Sequence, residues 1–277
     1  MEIRPVREIR EYRACEALQR RAWLMADDLE VVPMHLLVGV HKGGGLLLGA
    51  FDGDELTGFV FGFPGLTQEG KLKHCSHMMG VLPEQQSVGI GWQLKLAQRQ
   101  AVSAQGLDLI TWTYDPLEGR NAYLNLSKLG AVCKTYVRDL YGPLADGLNA
   151  GLPTDRFQVD WWIKTEWVAQ RLEGEPDHEG DWRAGQANST GRTASGLLTP
   201  GSLDLDLDLP TIQVEVPGDY RALKSADSSL AREWRLASRA LFEAYFAAGY
   251  VACDYCSGWI SGERRNYYLL TKPAPVP

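Results

Sequence analysis

The stretch that decides the reading is Val81-Leu82-Pro83-Glu84-Gln85-Gln86-Ser87-Val88-Gly89-Ile90-Gly91-Trp92-Gln93-Leu94-Lys95-Leu96-Ala97-Gln98. An apolar strand ends at Leu82, a loop with glycines at 89 and 91 follows, and a helix begins. The N-terminus of a helix presents unpaired backbone N–H groups and the positive end of its dipole. Glycine permits unusual φ and close approach of a ligand to the backbone. The combination makes an anion site suited to a phosphate or pyrophosphate; the plain structural alternative is a glycine-containing turn before a helix. The pattern is neither Walker A, which needs Gly-Lys-Ser/Thr, nor a Rossmann fingerprint, which needs three spaced glycines. A nucleotide-binding protein using the same loop is therefore disfavoured.

Outward from this loop the elements alternate. Upstream, Glu2 to Arg7 is a strand, Glu8 to Trp23 an amphipathic helix, and Pro33 to Val40 a shorter helix opened by proline. Gly45 to Phe51 and Glu55 to Phe63 are strands joined by Asp52-Gly53-Asp54, a hairpin signal, and Lys71 to Leu82 is another strand. Downstream, Trp92 to Gln105 is a helix closed by Gly106, Leu107 to Tyr114 a strand, and Arg120 to Leu129 a helix stopped by Gly130. Ala131 to Tyr141 and Arg156 to Ile163 are further strands.

The 277 residues suit one large or two modest domains, with 45% hydrophobic residues and no need of covalent staples. A net charge of −7 argues against a nucleic-acid partner bound by phosphate neutralisation. No apolar run approaches the roughly 20 residues of a membrane helix, and no apolar segment follows Met1 as in a signal peptide. Five scattered cysteines make no disulfide framework, so the chain reads as soluble, reduced and cytoplasmic.

Acidic residues crowd between Glu173 and Asp208, opposed by Arg183 and Arg192 alone. Rich also in Gly, Ser, Thr and Pro, residues 173–210 read as an acidic linker or insertion, flexible through residue 203, between a domain of residues 1–172 and a C-terminal unit of residues 211–272. That unit reads as β-α-β-β: Thr211 to Val216, a long helix Ser225 to Ala248, then Tyr250 to Cys256 paired with Asn266 to Leu270. Leu230, Trp234, Ala237, Leu241, Ala244 and Ala248 form one apolar stripe, which must be buried on the core or in a homodimer contact.

Gln86-Ser87-Val88-Gly89-Ile90-Gly91 resembles the Gln/Arg-x-x-Gly-x-Gly/Ala signature of the GNAT superfamily of N-acetyltransferases. Val81-Leu82-Pro83-Glu84 looks like the end of that family's fourth strand, and Leu107–Tyr114 like its fifth. Asn121-Ala122-Tyr123-Leu124-Asn125-Leu126-Ser127-Lys128-Leu129-Gly130-Ala131 is similar to its Ala-containing helix ending in Lys-Leu-Gly-Phe. The resemblance covers roughly the first 60% of the chain and is nearest to a branch of uncharacterised acetyltransferases with an extra C-terminal region. It implies an α/β fold of the α+β kind: a mixed, mostly antiparallel twisted sheet flanked by helices. It also implies an acyl-CoA N-acyltransferase. Acetyl-CoA, or another acyl-CoA such as succinyl-CoA, would be the cosubstrate, without metal, and a small amine such as an amino acid the acceptor. A non-catalytic CoA-binding module is the alternative.

Residue by residue, the amides of Gln86, Ser87, Val88, Gly89, Ile90 and Gly91 would hold the pyrophosphate. The backbone of Val81 would polarise the thioester carbonyl, where the fourth strand leaves the fifth. Asn121 would touch the pantetheine arm. His77, four residues before Val81, would share its side of a regular strand and serve as base; His74 would face the other way. The family's acid, a tyrosine four residues before the helix-ending glycine, is here Leu126, so Tyr123 is the substitute, with Ser127 and Tyr136 weaker. Asp115 would hold a substrate ammonium or cap the next helix. Cys253-x-x-Cys256 lacks a second ligand pair for zinc, and Asp204-x-Asp206-x-Asp208 lacks the glycine of a calcium loop. His41 to Gly45 reads as a turn or lid.

Overall fold

The computed structural model describes residues 1–23, 25, 30–86, 89–142, 152–174, 184–260 and 263–277. The chain divides into two compact units, Met1–Trp112 and Thr113–Pro277. The division falls inside a strand, where the sequence had placed a boundary at residue 172.

In the first unit, β1 (Glu2–Pro5), β2 (Leu46–Asp52), β3 (Glu55–Leu66) and β4 (Leu72–Val81) pair in chain order and antiparallel. The hairpin expected at Asp52-Gly53-Asp54 forms, with Gly53 at φ 59°. β5 (Leu109–Tyr114) joins β4 in parallel. α1 (Ile9–Trp23) and α2 (Met34–Lys42) cover one face, where Tyr12, Leu18 and Leu37 pack with Phe59 and Phe61. α3 (Ile90–Ala104) covers the other: a Cβ at Gly58 would stand 3.0 Å from Ile90 and 3.3 Å from Leu94. α2 runs through His41, whose Nδ1 meets the Tyr12 hydroxyl at 2.7 Å, so residues 41–42 are helix rather than lid.

The second unit is built on β6 (Val132–Val137), β7 (Arg156–Trp162), β8 (Gly185–Gln186), β11 (Thr211–Val216), β12 (Val251–Ile260) and β13 (Glu263–Thr271). Their order is β7-β6-β12-β13-β11-β8, antiparallel except at β11–β8. The fold is mixed α/β with a mostly antiparallel sheet, as the sequence predicted.

Three parts of this unit depart from the sequence reading. The stretch read as linker carries β8 and a separate hairpin, β9 (Asn188–Arg192) with β10 (Leu198–Leu203). Its polar chain is held by buried contacts: Asn188, 3% exposed, bonds the backbone of Glu215 in both directions. A short helix, α5 (Glu166–Glu173), opens at Thr165, whose side chain caps the Val168 N–H. The long C-terminal helix is two helices, α6 (Tyr220–Ala226) and α7 (Ser228–Ala247), because Asp227 takes an extended backbone and caps Leu230. On α7 the buried stripe runs Leu230, Trp234, Arg235, Ser238, Leu241, Phe242 and Tyr245, and Ala248 is exposed.

Candidate functional site

The start of α3 leaves backbone N–H groups open, as an anion site requires. A single 3-10 turn, Pro83–Gln85, leads to Gln86. Gly89 adopts φ 88° and precedes α3 with no side-chain cap, and Gln93 is the first N–H to close on its carbonyl. The N–H groups of the first helical turn therefore have no intrahelical acceptor. Among the described residues, none beyond its chain neighbours comes within 4 Å of a Cβ placed on Gly89, while one on Gly91 would meet the Met79 side chain at 3.4 Å. The open backbone is at Gly89. Ser87 and Val88 lie outside the described residues. Gln86 differs from the expectation: its N–H donates to the Pro83 carbonyl at 3.3 Å, so this amide closes the turn. Its side chain is the useful part, since Nε2 donates to the Val81 carbonyl at 3.3 Å.

Val81 stands at the strand end that the argument needs. β4 pairs with β5 through His74↔Ile110 and Cys75↔Thr111, yet continues to Val81 beside β3. The Leu82 N–H donates to the Thr57 carbonyl of β3 at 2.9 Å. Peptide groups alternate along an extended chain, so the N–H and carbonyl of Val81 point away from β3. That N–H is placed where it could polarise a carbonyl lying along the departing strand.

His77 is positioned by a β-bulge. Phe61 pairs with Met78 and Gly62 with Ser76, leaving His77 as the extra residue. The bulge overturns the expected alignment with Val81. Val81 pairs with Gly58, whose outward direction faces α3, whereas the His77 ring lies 6.0 Å from both the Phe61 and Phe63 rings on the α1 side. His77 remains exposed, and the apolar cover on its inner edge lowers its pKa from the ordinary histidine value. The shift favours the neutral, proton-accepting form. His74 faces α3, fully buried, its pKa lowered to about 4 by burial and by Lys95. Lys95 and its surroundings were not singled out in the sequence, where it reads as one more charged residue on an amphipathic helix.

The remaining candidates belong to the second unit. Asn121 is exposed on α4 (Gly119–Ala122), and Tyr123 is half-buried at the start of a π-helical turn, Tyr123–Lys128. Leu126, at the position where the resemblance would put an acid, is fully buried, and the Ser127 hydroxyl donates to the Tyr255 carbonyl at 2.6 Å. The Tyr136 hydroxyl donates to Asp155 at 2.7 Å. Asp115 is not available to a substrate ammonium. Its carboxylate accepts from both Arg235 terminal nitrogens, at 2.8 and 2.5 Å, and from the Leu117 N–H at 2.9 Å. It is a structural anion: burial opposes its charge, and the Arg235 guanidinium holds its pKa below the ordinary carboxylate value. Cys253 and Cys256 are both buried strand residues, their thiols turned to main-chain carbonyls of β13.

No protein-family model matches the sequence, and no curated protein matches it. Solved structures similar to this one include a GNAT-family protein from Desulfovibrio desulfuricans, with 16% identity, a TM-score of 0.47, and coverage of 58% of this chain and 98% of that one. The ribosomal-protein-S18-alanine N-acetyltransferase of Escherichia coli is similar at 15% identity and TM-score 0.46, over 59% and 94% of the two chains. Chaetomium thermophilum Naa20, solved with a bisubstrate analogue, gives 15% and 0.46, over 65% and 93%.

Proposed function

We propose that the chain is an acyl-CoA-dependent N-acyltransferase of the GNAT type, with a small amine as acceptor. The observation that carries the reading is the end of β4. It departs from β5 after Cys75, presents the Val81 N–H away from β3, and runs through a loop held by Gln86 into the uncapped first turn of α3. The N–H groups at Gly89, Ile90 and Gly91 would hold the pyrophosphate of coenzyme A. The Val81 N–H would stabilise the oxyanion formed when an amine attacks the thioester, since a donor fixed beforehand needs no reorganisation as charge develops. His77, neutral and exposed beside two aromatic rings, would take the amine proton, directly or through water. The amine forms its bond to the thioester carbonyl carbon, the C–S bond breaks, and coenzyme A leaves as a thiolate that takes a proton from water, with no covalent enzyme intermediate. Full burial of Leu126 favours a second reading, a CoA-binding module without turnover.

Isothermal titration with acetyl-CoA, succinyl-CoA and ATP, followed by turnover assays on a panel of amines, tests both. Binding of a CoA ester with no heat from ATP supports the loop assignment. A His77→Ala variant should lose roughly 100-fold in kcat and its lower pH limb, while keeping ester affinity. An unchanged rate across pH rejects His77 as base. Binding without turnover on any amine leaves the module reading, and no binding of either ester at sub-millimolar concentration rejects both.

A further inference from the structure

The last rung between β4 and β5 is Cys75↔Thr111, and Ser76 and Trp112 are the next residues on the two strands. Side chains at facing positions of neighbouring strands share a face, here the α3 side. Lys95 of α3 reaches both. Its Nζ donates to Ser76 Oγ at 3.0 Å and lies 3.6 Å from the centroid of the Trp112 ring. One ammonium thus touches both strands at the base of the fork.

The same cluster adjoins the bulge that turns His77 outward. Ser76 is the last α3-facing residue before the extra one, and its Oγ stands 3.1 Å from both the oxygen and the nitrogen of the Gln98 amide. Lysine carries donors alone, so it takes the Gln98 oxygen, at 3.1 Å, and leaves Nε2 to donate to His74 at 3.2 Å. Opposite Ser76 stands Gly62, where any side chain would collide with the His74 ring. Bulges re-aim single side chains, and this one is pinned from the α3 side.

Keeping the amine here is costly. It is 2% exposed, no carboxylate stands against it among the described residues, and burial lowers its pKa to about 7. An apolar side chain of the same bulk would fill the space without that cost. Strongly shifted groups gather at functional sites, and two parts of the proposed site lie just beyond this one: His77 follows Ser76 directly, and Val81 ends the departing strand.

We propose that Lys95 is a positioning residue for acyl transfer: its bond to Ser76 and its seat on the Trp112 ring fix how β4 leaves β5, and so place His77 and the Val81 N–H. The inference rests on the acyl-CoA reading and adds to it a residue that acts through its neighbours. Bulk alone does not do this work; the two ties across the fork do.

Lys95→Met keeps the bulk and cuts both ties. The readout is the infrared stretch of the thioester carbonyl in carbonyl-labelled acetyl-CoA bound to the whole protein at pH 6, below the pKa of the amine. In the wild type the stretch should fall below that of free ester, because the Val81 N–H polarises the carbonyl. In Lys95→Met it should return toward the free value. The kcat with the fastest amine of the panel should fall roughly 10- to 100-fold, while acetyl-CoA affinity, set at the start of α3, stays as it was. Trp112→Leu should reproduce these effects and Trp112→Phe should keep the wild-type stretch. The double variant, Lys95→Met with Trp112→Leu, should lose no more than either alone. The Trp112 pair carries the test if Lys95→Met fails to fold. An unchanged stretch in Lys95→Met, or losses that add in the double variant, overturns the inference and leaves the acyl-CoA reading intact. If acetyl-CoA does not bind, labelled succinyl-CoA takes its place. A wild-type stretch equal to that of free ester rejects Val81 as the donor, and binding of neither ester rejects the acyl-CoA reading; the inference falls with either.

Discussion

Replacing Lys95 by methionine should stabilise the folded protein, and by an amount that shrinks as pH rises. Methionine fills nearly the same volume without the charge. The contacts Ser76 Oγ to Gln98 Oε1, and Gln98 Nε2 to Ser76 and His74, remain without the lysine. Burial moves the amine from its ordinary 10.5 to about 7. At 1.36 kcal/mol per tenfold, keeping it in the fold costs about 4 kcal/mol at pH 7. Loss of the hydrogen bonds and the ring contact that the ammonium makes returns part of this, leaving a net gain of about 1–3 kcal/mol for the variant. The folded-state pKa is the lower one, so between about 7 and 10.5 the unfolded chain binds more protons and wild-type stability rises with pH. From pH 7 to 9 the wild type should recover about 2 kcal/mol relative to Lys95→Met. Urea unfolding of both proteins at pH 7, 8 and 9 measures this directly. A stability difference that does not change with pH would refute the claim that the amine is buried without an anion.

Other outcomes follow from the ion pairs. Asp115→Asn strands Arg235, 2% exposed and already lacking a partner at Nε, and should cost about 3–5 kcal/mol in denaturant unfolding; a raised KM for amine with unchanged stability would restore its substrate role. Glu11 accepts from Arg4 and from the N–H groups of Arg7 and Glu8, which hold its carboxyl at about 2. Its folded pKa is depressed, so its contribution is present above about 4.5 and lost as pH falls toward 2. With Arg4 a quarter exposed, that contribution is about 1–2 kcal/mol. Glu11→Gln should flatten the acid limb of the stability profile over this window, and a limb identical to wild type would exclude the pair as its source.

The architecture of the first unit was legible because its signals are local: the Asp-Gly hairpin, the proline before α2, and the glycines around α3. The glycine turn into α3 was legible for the same reason, while the Gln86 amide was not, because the 3-10 turn at Pro83 consumes it. What failed depended on insertion or on distant partners. Counting alternate positions placed His77 with Val81, but one extra residue at the bulge reverses that parity, and nothing in the letters marks it. Asp115 was read against its own turn, where it does cap Leu117, while its main partner lies 120 residues away. Residues 188–203 looked too polar to order because the anchoring groups, Asn188 and Glu215, are themselves polar and sit far apart in sequence. Lys95 was invisible because periodicity assigns a lysine to the wet side of a helix, and here the ring of Trp112 and the amide of Gln98 receive it.

The π-helical turn bears on how the gene could be shortened. It buries Asn125, Leu126 and Ser127 in succession, and Ser127 is tied to both the carbonyl and the N–H of Tyr255. β12 supplies that anchor and also pairs with β6 at Cys133. A chain ended before residue 250 would thus lose more than an appendage: the buried Ser127 hydroxyl would be left without both of its Tyr255 partners. The turn at Tyr123–Lys128 and strand β12 therefore stand or fall together, although more than 120 residues of sequence separate them.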